Sequence, residues 1–302
     1  MKFDIITNHA LVWVFIVIIS CTSKTETAQK LDIQGHRGAR GLLPENSIPA
    51  FIKALELGVT TLELDLAVSK EGELIVSHEP YMSSSICLDP DANEISKEEE
   101  FNHNIFQMTY EEIKQYDCGS KGNTRFPDQK KSKIYKPRLI EVIEAVNEYV
   151  SNNNASAPRY NMEIKSDPKG DSLFHPVPSE FSDIVYDFIT KNMDVDQVTV
   201  QSFDFRVLKY IKGSYPEIEL AALVENKEGV DVNLNRLGFN PDIYSCDFTL
   251  LDEEAVIALH NKNIKVIPWT VNEISDMERL VNWGVDGLIT DYPDRASRLM
   301  KK

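Results

Sequence analysis

The chain has 302 residues, 42% hydrophobic and 26% charged, a globular composition with enough apolar material for a sizeable core, which excludes disorder as a whole. Forty-eight acidic residues against 32 basic ones give a formal net charge of −16, which repels nucleic acid and anionic lipid and excludes a DNA-binding or polybasic membrane role. Any anion site in this chain must gather its own positive charge.

Residues 1–20 read as a signal peptide. Lys2 precedes an apolar run from Ala10 to Ile19, followed by Ser20 and Cys21, a run too short to span a bilayer. Ile18-Ile19-Ser20-Cys21 resembles a bacterial lipobox, in which the cysteine is acylated and becomes the first residue. A buried core strand is the competing reading, but the polar tract Thr22 to Lys30 favours a lipidated tether over residues 21–30. The expected location is therefore the cell envelope, with the chain anchored to membrane through a lipid on Cys21. Thr22 stands where an aspartate would signal inner-membrane retention, so the periplasm or outer membrane is expected. Lipidation leaves Cys87, Cys118 and Cys246, enough for at most one disulfide, with Cys87–Cys118 a candidate pair.

Beyond residue 30, short β-rich runs recur: Leu31 to Gln34, Thr60 to Val68, Leu74 to Ser77, Tyr160 to Ile164, Val198 to Phe203, Leu220 to Val224, Ile243 to Phe248, Ile264 to Val271 and Gly287 to Thr290. Helical patterns separate most of them, at Ile48 to Leu57, Leu139 to Val150, Phe181 to Asn192, Asp204 to Ile211, Asp252 to Lys262 and Ile274 to Trp283. This alternation implies right-handed βαβ units and a parallel sheet. Only Ser69 to Glu73 separates the second and third runs, too few residues for a parallel crossover, so those two form an antiparallel hairpin. Removing its second arm leaves eight strands, the number that closes a (β/α)8 TIM barrel, an α/β fold. An open doubly wound sheet competes, but no G-x-G-x-x-G marks a strand-to-helix turn.

Residues 80–136 interrupt the alternation. The stretch is polar and too long for an ordinary loop, so it reads as a rim insertion after strand 2 of the barrel occupying residues 31–302. Within it Asp89, Asp91, Asn93 and Glu100 match EF-hand offsets 1, 3, 5 and 12, but Glu94 stands at the glycine position, so a solvated acidic surface is preferred.

Candidate chemistry gathers near strand ends. Gly35-His36-Arg37-Gly38-Ala39-Arg40-Gly41 joins glycines, which let backbone approach a ligand, with arginines suited to phosphate oxygens. Glu63 and Asp65 lie two apart on a strand and so share a face. A two-residue turn at Glu71-Gly72 would set Asp65 opposite His78 across the hairpin, with Cβ atoms about 5 Å apart. Glu163 and Lys165 repeat the two-residue spacing on the next barrel strand. Three buried carboxylates without a cysteine favour a hard cation, Ca²⁺ or Mg²⁺, over structural zinc, although a salt-bridged surface strand remains open. His103, His175 and His260 read as surface or loop residues.

Gly35-His36-Arg37-Gly38, Pro44-Glu45-Asn46-Ser47, Glu63-Leu64-Asp65 and His78 together resemble the glycerophosphodiester phosphodiesterases. Met162-Glu163-Ile164-Lys165, Gln201-Ser202-Phe203-Asp204, Trp269-Thr270-Val271-Asn272 and Asp286 to Pro293 continue the resemblance in colinear order over roughly residues 31–298. It implies a metal-dependent barrel hydrolase that converts a small glycerophosphodiester to glycerol 3-phosphate and an alcohol. It also implies His36 and His78 as the acid/base pair, Glu63, Asp65 and Glu163 as metal ligands, and Arg37 and Lys165 as phosphate contacts. Glu79 departs from the aspartate usual after the second histidine. Trp269 is a candidate contact for the glycerol moiety or else a buried residue closing the barrel. Two alternatives stay open. One is phospholipase-like cleavage of intact lipids, which would want an apolar rim where this insertion reads as polar. The other is a non-catalytic binding protein.

Overall fold

The computed structural model describes residue 1 and residues 31–299. The leader, the lipobox Cys21 and the tether fall on residues 2–30, outside the described residues. The chain runs through β1 (Asp32–Gly35), α1 (Ile48–Glu56), β2 (Thr61–Val68), β3 (Leu74–Val76), α2 (Tyr110–Ile113), α3 (Leu139–Asn153), β4 (Arg159–Ile164), α4 (Pro178–Asn192) and β5 (Val198–Ser202). It continues through α5 (Phe205–Ser214), β6 (Glu219–Val224), α6 (Val230–Leu237), β7 (Ile243–Cys246), α7 (Glu253–His260), β8 (Lys265–Val266), α8 (Ile274–Asn282), β9 (Gly287–Thr290) and α9 (Pro293–Ala296).

Eight strands pair in parallel in the order β8-β7-β6-β5-β4-β2-β1-β9. Backbone bonds from Asp286 N to Val266 O at 2.9 Å, Ile289 N to Pro268 O at 3.0 Å and Val271 N to Ile289 O at 2.9 Å bring the last strand back to the segment after β8. The sheet thus closes nearly into the expected barrel. Alternation decides its two faces. Leu62, Leu64, Leu66 and Val68 of β2 point outward into one core with Phe51 of α1 and Leu139, Val142 and Val146 of α3, each fully buried aliphatic side chain contributing roughly 1.5–3 kcal/mol. Helix α1 begins where Ser47 accepts the Ala50 N–H, with Pro49 in its first turn. Helix α6 had no counterpart in the sequence reading because its stripe is thin: Leu234 and Leu237 are buried beside the polar Asn233. The eighth strand is shorter than its apolar run suggested, since Pro268 withholds a donor from the ladder.

The hairpin exists, but one residue out of the expected register. Ser69 N bonds Glu73 O at 2.9 Å and Gly72 N bonds Ser69 O at 3.0 Å, so the loop has three residues and ends on Gly72 at φ +80°, the left-handed position of such loops. Leu66 therefore pairs with Val76 and the Asp65 carbonyl accepts from Ser77 N at 2.9 Å. Asp65 faces Ser77, not His78.

The insertion is less polar than it reads. Met82, Ile86, Ile95, Ile105, Tyr110, Ile113 and Tyr116 form a second core that closes on Ala67 and Ile75 of the hairpin, and a Cys87–Cys118 disulfide runs through it. Glu100 is fully buried rather than part of a solvated acidic surface, accepting from the Ser84 hydroxyl at 2.7 Å and pairing with Lys97. A crosslink spanning 31 residues restricts the unfolded chain by about 3–4 kcal/mol. A Cys87→Ala/Cys118→Ala variant should lose about that much unfolding free energy in urea, and the segment between the two positions should become the first site of limited proteolysis. An unchanged denaturation midpoint would show that the insertion's apolar core alone holds it.

Candidate active site

The carboxyl ends of β1, β2, β4 and β5 deliver polar groups to one cavity of about 750 Å³, lined among others by His36, Arg37, Glu63, His78, Glu163 and Lys165. One carboxylate oxygen each from Glu63, Asp65 and Glu163 lie within 4.8 Å of one another, and the three side chains are 2%, 0% and 6% exposed. Inside the barrel they repel: burial first, then Asp65 and Glu163, pushes the Glu63 carboxyl well above the usual range. Burial also raises Glu163, against the opposing charge of Lys165.

The surrounding groups oppose that repulsion. Asp65 is held below the ordinary range despite its burial by Arg37, His78 and Lys165 and by the Asn46 side chain, whose amide donates to Oδ2 at 2.8 Å. Glu63 accepts from Gln201 Nε2 and from the Arg37 backbone N–H, both at 2.8 Å. The second bond requires Arg37 at φ +52°, a conformation costly for a non-glycine residue and typical of functional sites. Gly38 then turns at φ +81°, where a Cβ would meet Ala50 backbone at 2.6 Å. Lys165 Nζ is 2.8 Å from Glu163 Oε1 and 3.8 Å from Asp65 Oδ1.

Asp65 Oδ1 is buried and has no hydrogen-bond partner among the described residues. An orphan oxygen facing two further carboxylates fits a bound cation, since oxygens about 2.0–2.6 Å from a common Mg²⁺ or Ca²⁺ lie roughly 3–5 Å apart. The arrangement could hold a metal ion.

Each histidine has its own carboxylate. His36 Nδ1 lies 2.8 Å from Asp291 Oδ1, and Asp291 is held ionised, against burial, by His36 and Arg40. Arg40 grips both its oxygens at 2.7 and 3.1 Å, and Asn272 donates to one at 2.8 Å. Arg40 is thus spent on Asp291 rather than left for phosphate, as the glycine-rich motif had suggested. An ionised Asp291 places the proton on Nδ1 and leaves the Nε2 lone pair toward the cavity. Burial, then Arg40, lowers the His36 pKa to about 4. His78 Nδ1 hydrogen-bonds Glu79, whose carboxyl falls to about 2 because His78 outweighs the cost of burial, so the longer acid still reaches its histidine.

The chain matches the glycerophosphoryl diester phosphodiesterase family model over residues 36–295. It belongs to that family. It is 29% identical over 270 residues to a glycerophosphodiester phosphodiesterase of Caldanaerobacter subterraneus, covering 88% of this chain and 96% of that one. Its fold superposes with a TM-score of 0.80 at 29% identity on a Silicibacter pomeroyi protein described as a glycerophosphoryl diester phosphodiesterase, covering 91% and 94% of the two chains. An Oleispira antarctica phosphodiesterase solved with sn-glycerol-3-phosphate shares the fold, with a TM-score of 0.70, 22% identity and coverage of 90% and 97%.

His36, His78, Arg37, Lys165, Trp269, Glu63 and Glu163 line the cavity, and Asp65 lies beside it in the acidic triad. The Trp269 indole, partly buried, donates to Ser245 O at 2.9 Å and packs edge-on against Phe203 with centroids 5.4 Å apart. His175 lies in a loop, as the sequence reading allowed, but not at the surface. It is buried, lines the cavity and accepts the Asp167 N–H at 3.1 Å, shaping the β4–α4 loop. The rim is not uniformly polar either: Phe101 and Phe203, 51% and 37% exposed, stand at the mouth. Sequence reasoning missed Asp291, Asn272 and Lys136 as supports; Lys136 is buried and feels the charges of Glu45 and Glu79.

Folded His36 binds its proton only near pH 4 and an unfolded histidine near 6.5. The unfolded chain therefore holds more protons between those values, and stability falls as pH drops through that window, by up to about 3 kcal/mol for this group. In chelator, His36→Asn should lose less unfolding free energy between pH 7 and pH 4.5 than wild type. Equal losses would remove His36 as the cause.

Proposed function

We propose that the chain hydrolyses small glycerophosphodiesters to glycerol 3-phosphate and an alcohol, with Ca²⁺ or Mg²⁺ held by Glu63, Asp65 and Glu163 and with His36 and His78 moving the protons. One observation carries this reading: two histidines, each oriented by its own carboxylate, share a cavity with a carboxylate triad that leaves one oxygen orphaned. A bound cation would supply Lewis-acid stabilisation of charge on the phosphate oxygens.

The chain's own groups would do the rest. Arg37, its backbone fixed by Glu63 and its guanidinium by Glu45 at 2.7 Å, and Lys165 present positive charge to the non-bridging oxygens. His36, neutral with its Nε2 lone pair free, takes a proton from the entering oxygen. His78, its Nδ1–H held by Glu79, gives one to the departing alcohol. Trp269 and Phe203 offer an apolar side for the glycerol carbons.

His36→Ala and His78→Ala should each lower kcat/KM for glycerophosphocholine by about 10²–10⁴-fold, read as glycerol 3-phosphate release. Glu163→Gln should raise the Ca²⁺ or Mg²⁺ concentration needed for half-maximal rate. Activity that persists in chelator, or in either histidine variant, would remove that group from the mechanism.

The same proposal places the protein in the cell envelope, lipid-anchored through Cys21. A disulfide inside the rim insertion supports this, because such bonds persist in oxidising compartments. Cells fed labelled palmitate should label the wild-type chain and not Cys21→Ser; label on both, or on neither, would count against the anchor.

A further inference from the structure

The cations at the floor of the cavity are already matched. Arg37 Nη1 lies 2.7 Å from Glu45, Arg40 Nε 2.7 Å from Asp291 and Lys165 Nζ 2.8 Å from Glu163. A matched pair acts on a phosphate at contact, but its field falls off steeply with distance because the two charges cancel. Two further cations line the same cavity, Arg125 and Lys169, and both side chains are exposed. Among the described residues neither has a carboxylate within 4.0 Å.

Both are set in place by the loops that carry them. The Asp167 carboxylate accepts the Lys169 N–H at 2.8 Å, Gly170 N bonds Asp167 O at 2.8 Å, and the Arg206 guanidinium grips Asp171 at 2.7 and 3.1 Å. Arg125 precedes the buried Phe126, whose ring meets the guanidinium groups of Arg40 and Arg125 at 5.0 and 5.8 Å and the Tyr292 ring at 6.2 Å. Lys130 N bonds Leu42 O at 2.9 Å, so this segment lies along the β1–α1 loop that carries His36 and Arg37. Over residues 125–133 it is basic in an otherwise acidic chain: Arg125, Lys130, Lys131 and Lys133 are exposed without an ion pair among the described residues, against Asp128 alone. Asp167 and Glu225 also line the cavity and are exposed. The exposed charges of the lining and of this segment are therefore five cations, Lys169 included, against three carboxylates.

We propose that Arg125 and Lys169 form an outer anion seat at the mouth, which captures the phosphodiester's negative charge before the substrate reaches the carboxylate triad. Lys130, Lys131 and Lys133 extend its attractive field. This rests on the hydrolytic reading above and adds an entry step to it. The chain's net charge of −16 repels a negatively charged diester that approaches elsewhere, whereas unmatched cations attract it over about 8 Å at physiological ionic strength. The seat takes no part in breaking the bond. Its contribution lies in encounter and binding and is screened by salt, while the buried, matched groups beneath it are screened far less. A zwitterionic diester carries the same phosphate without net charge, so the same field steers it less.

The test measures kcat/KM of the full chain at saturating Ca²⁺ or Mg²⁺ for singly negative glycerophosphoglycerol and zwitterionic glycerophosphocholine, from about 20 to about 300 mM NaCl. Across that range wild type should lose about fivefold or more toward glycerophosphoglycerol and less than about twofold toward glycerophosphocholine. Arg125→Gln/Lys169→Gln should lower the low-salt value for glycerophosphoglycerol about tenfold, through KM rather than kcat, and remove most of its salt dependence. Equal salt dependence for the two substrates overturns the inference and leaves the hydrolase reading standing. So does a double variant that keeps the wild-type salt slope, or one whose loss lies in kcat alone. If neither diester is hydrolysed, the hydrolase reading fails, and calorimetric titration with glycerol 3-phosphate still decides this inference. Binding that weakens with salt in wild type and is both weaker and less salt-dependent in the double variant upholds it; no binding, or equal binding in both, overturns it.

Discussion

Three carboxylates buried against one another inside a barrel are the constraint around which the rest of this molecule is arranged. Glu63, Asp65 and Glu163 sit where the dielectric is low and mutual repulsion strong, with oxygens no more than 4.8 Å apart. Left alone they would take up protons, and the rise of Glu63 shows the direction. Their surroundings are therefore cationic and donor-rich: Arg37 and Lys165 as charges, Asn46 and Gln201 as amides. These are recruited from the β1–α1 loop, the ends of β4 and β5, and a backbone turned to positive φ at Arg37. The chain, so acidic overall, concentrates its positive charge here for a structural reason before any chemical one.

The lumen is divided to suit that charge. On the side of β1, β2, β4 and β5 it is filled by amides: the Asn161 amide donates to Gln34 at 2.8 Å and to Gln201 at 3.0 Å, and Gln201 in turn donates to Glu63. On the opposite side Ala221, Ile243, Ile267 and Ile289 form a separate apolar cluster topped by Trp269. Polar material thus continues beneath the carboxylates as a relay of oriented dipoles, while the aliphatic half keeps water from entering under them. Pre-aligned donors in a dry interior hold charge without reorganising.

Much of this was legible in the chain. The two-residue spacing of Glu63 and Asp65 and the glycine-bracketed His36 follow from strand periodicity and turn chemistry, which are local. What escaped was non-local. Asp291 reaches His36 across 255 positions because β9 pairs with β1; the strand count announces that closure but not which side chains it brings together. The hairpin register turned on whether Gly72 ended a two- or a three-residue loop, a choice that moves every cross-strand partner by one. The insertion looked polar because its apolar residues are irregularly spaced, and they converge only once the Cys87–Cys118 link and the hairpin give them a floor.

The insertion is therefore part of the site rather than an ornament on the rim. It supplies Phe101 to the cavity wall and, through Gln129 donating to Arg40 O at 2.7 Å and Leu43 O at 3.0 Å, braces the loop that carries His36 and Arg37. Lys136 brings a buried cation beside Glu45 and Glu79, the acids that hold Arg37 and His78 in turn. The positions of both histidines thus depend on groups drawn from outside the barrel: His36 through the loop that the insertion clamps, His78 through an acid that the insertion's lysine attracts. A change in the insertion's core should reach the chemistry along those two routes, beside the bonds to Thr290 and Asp291 that the barrel itself gives His36.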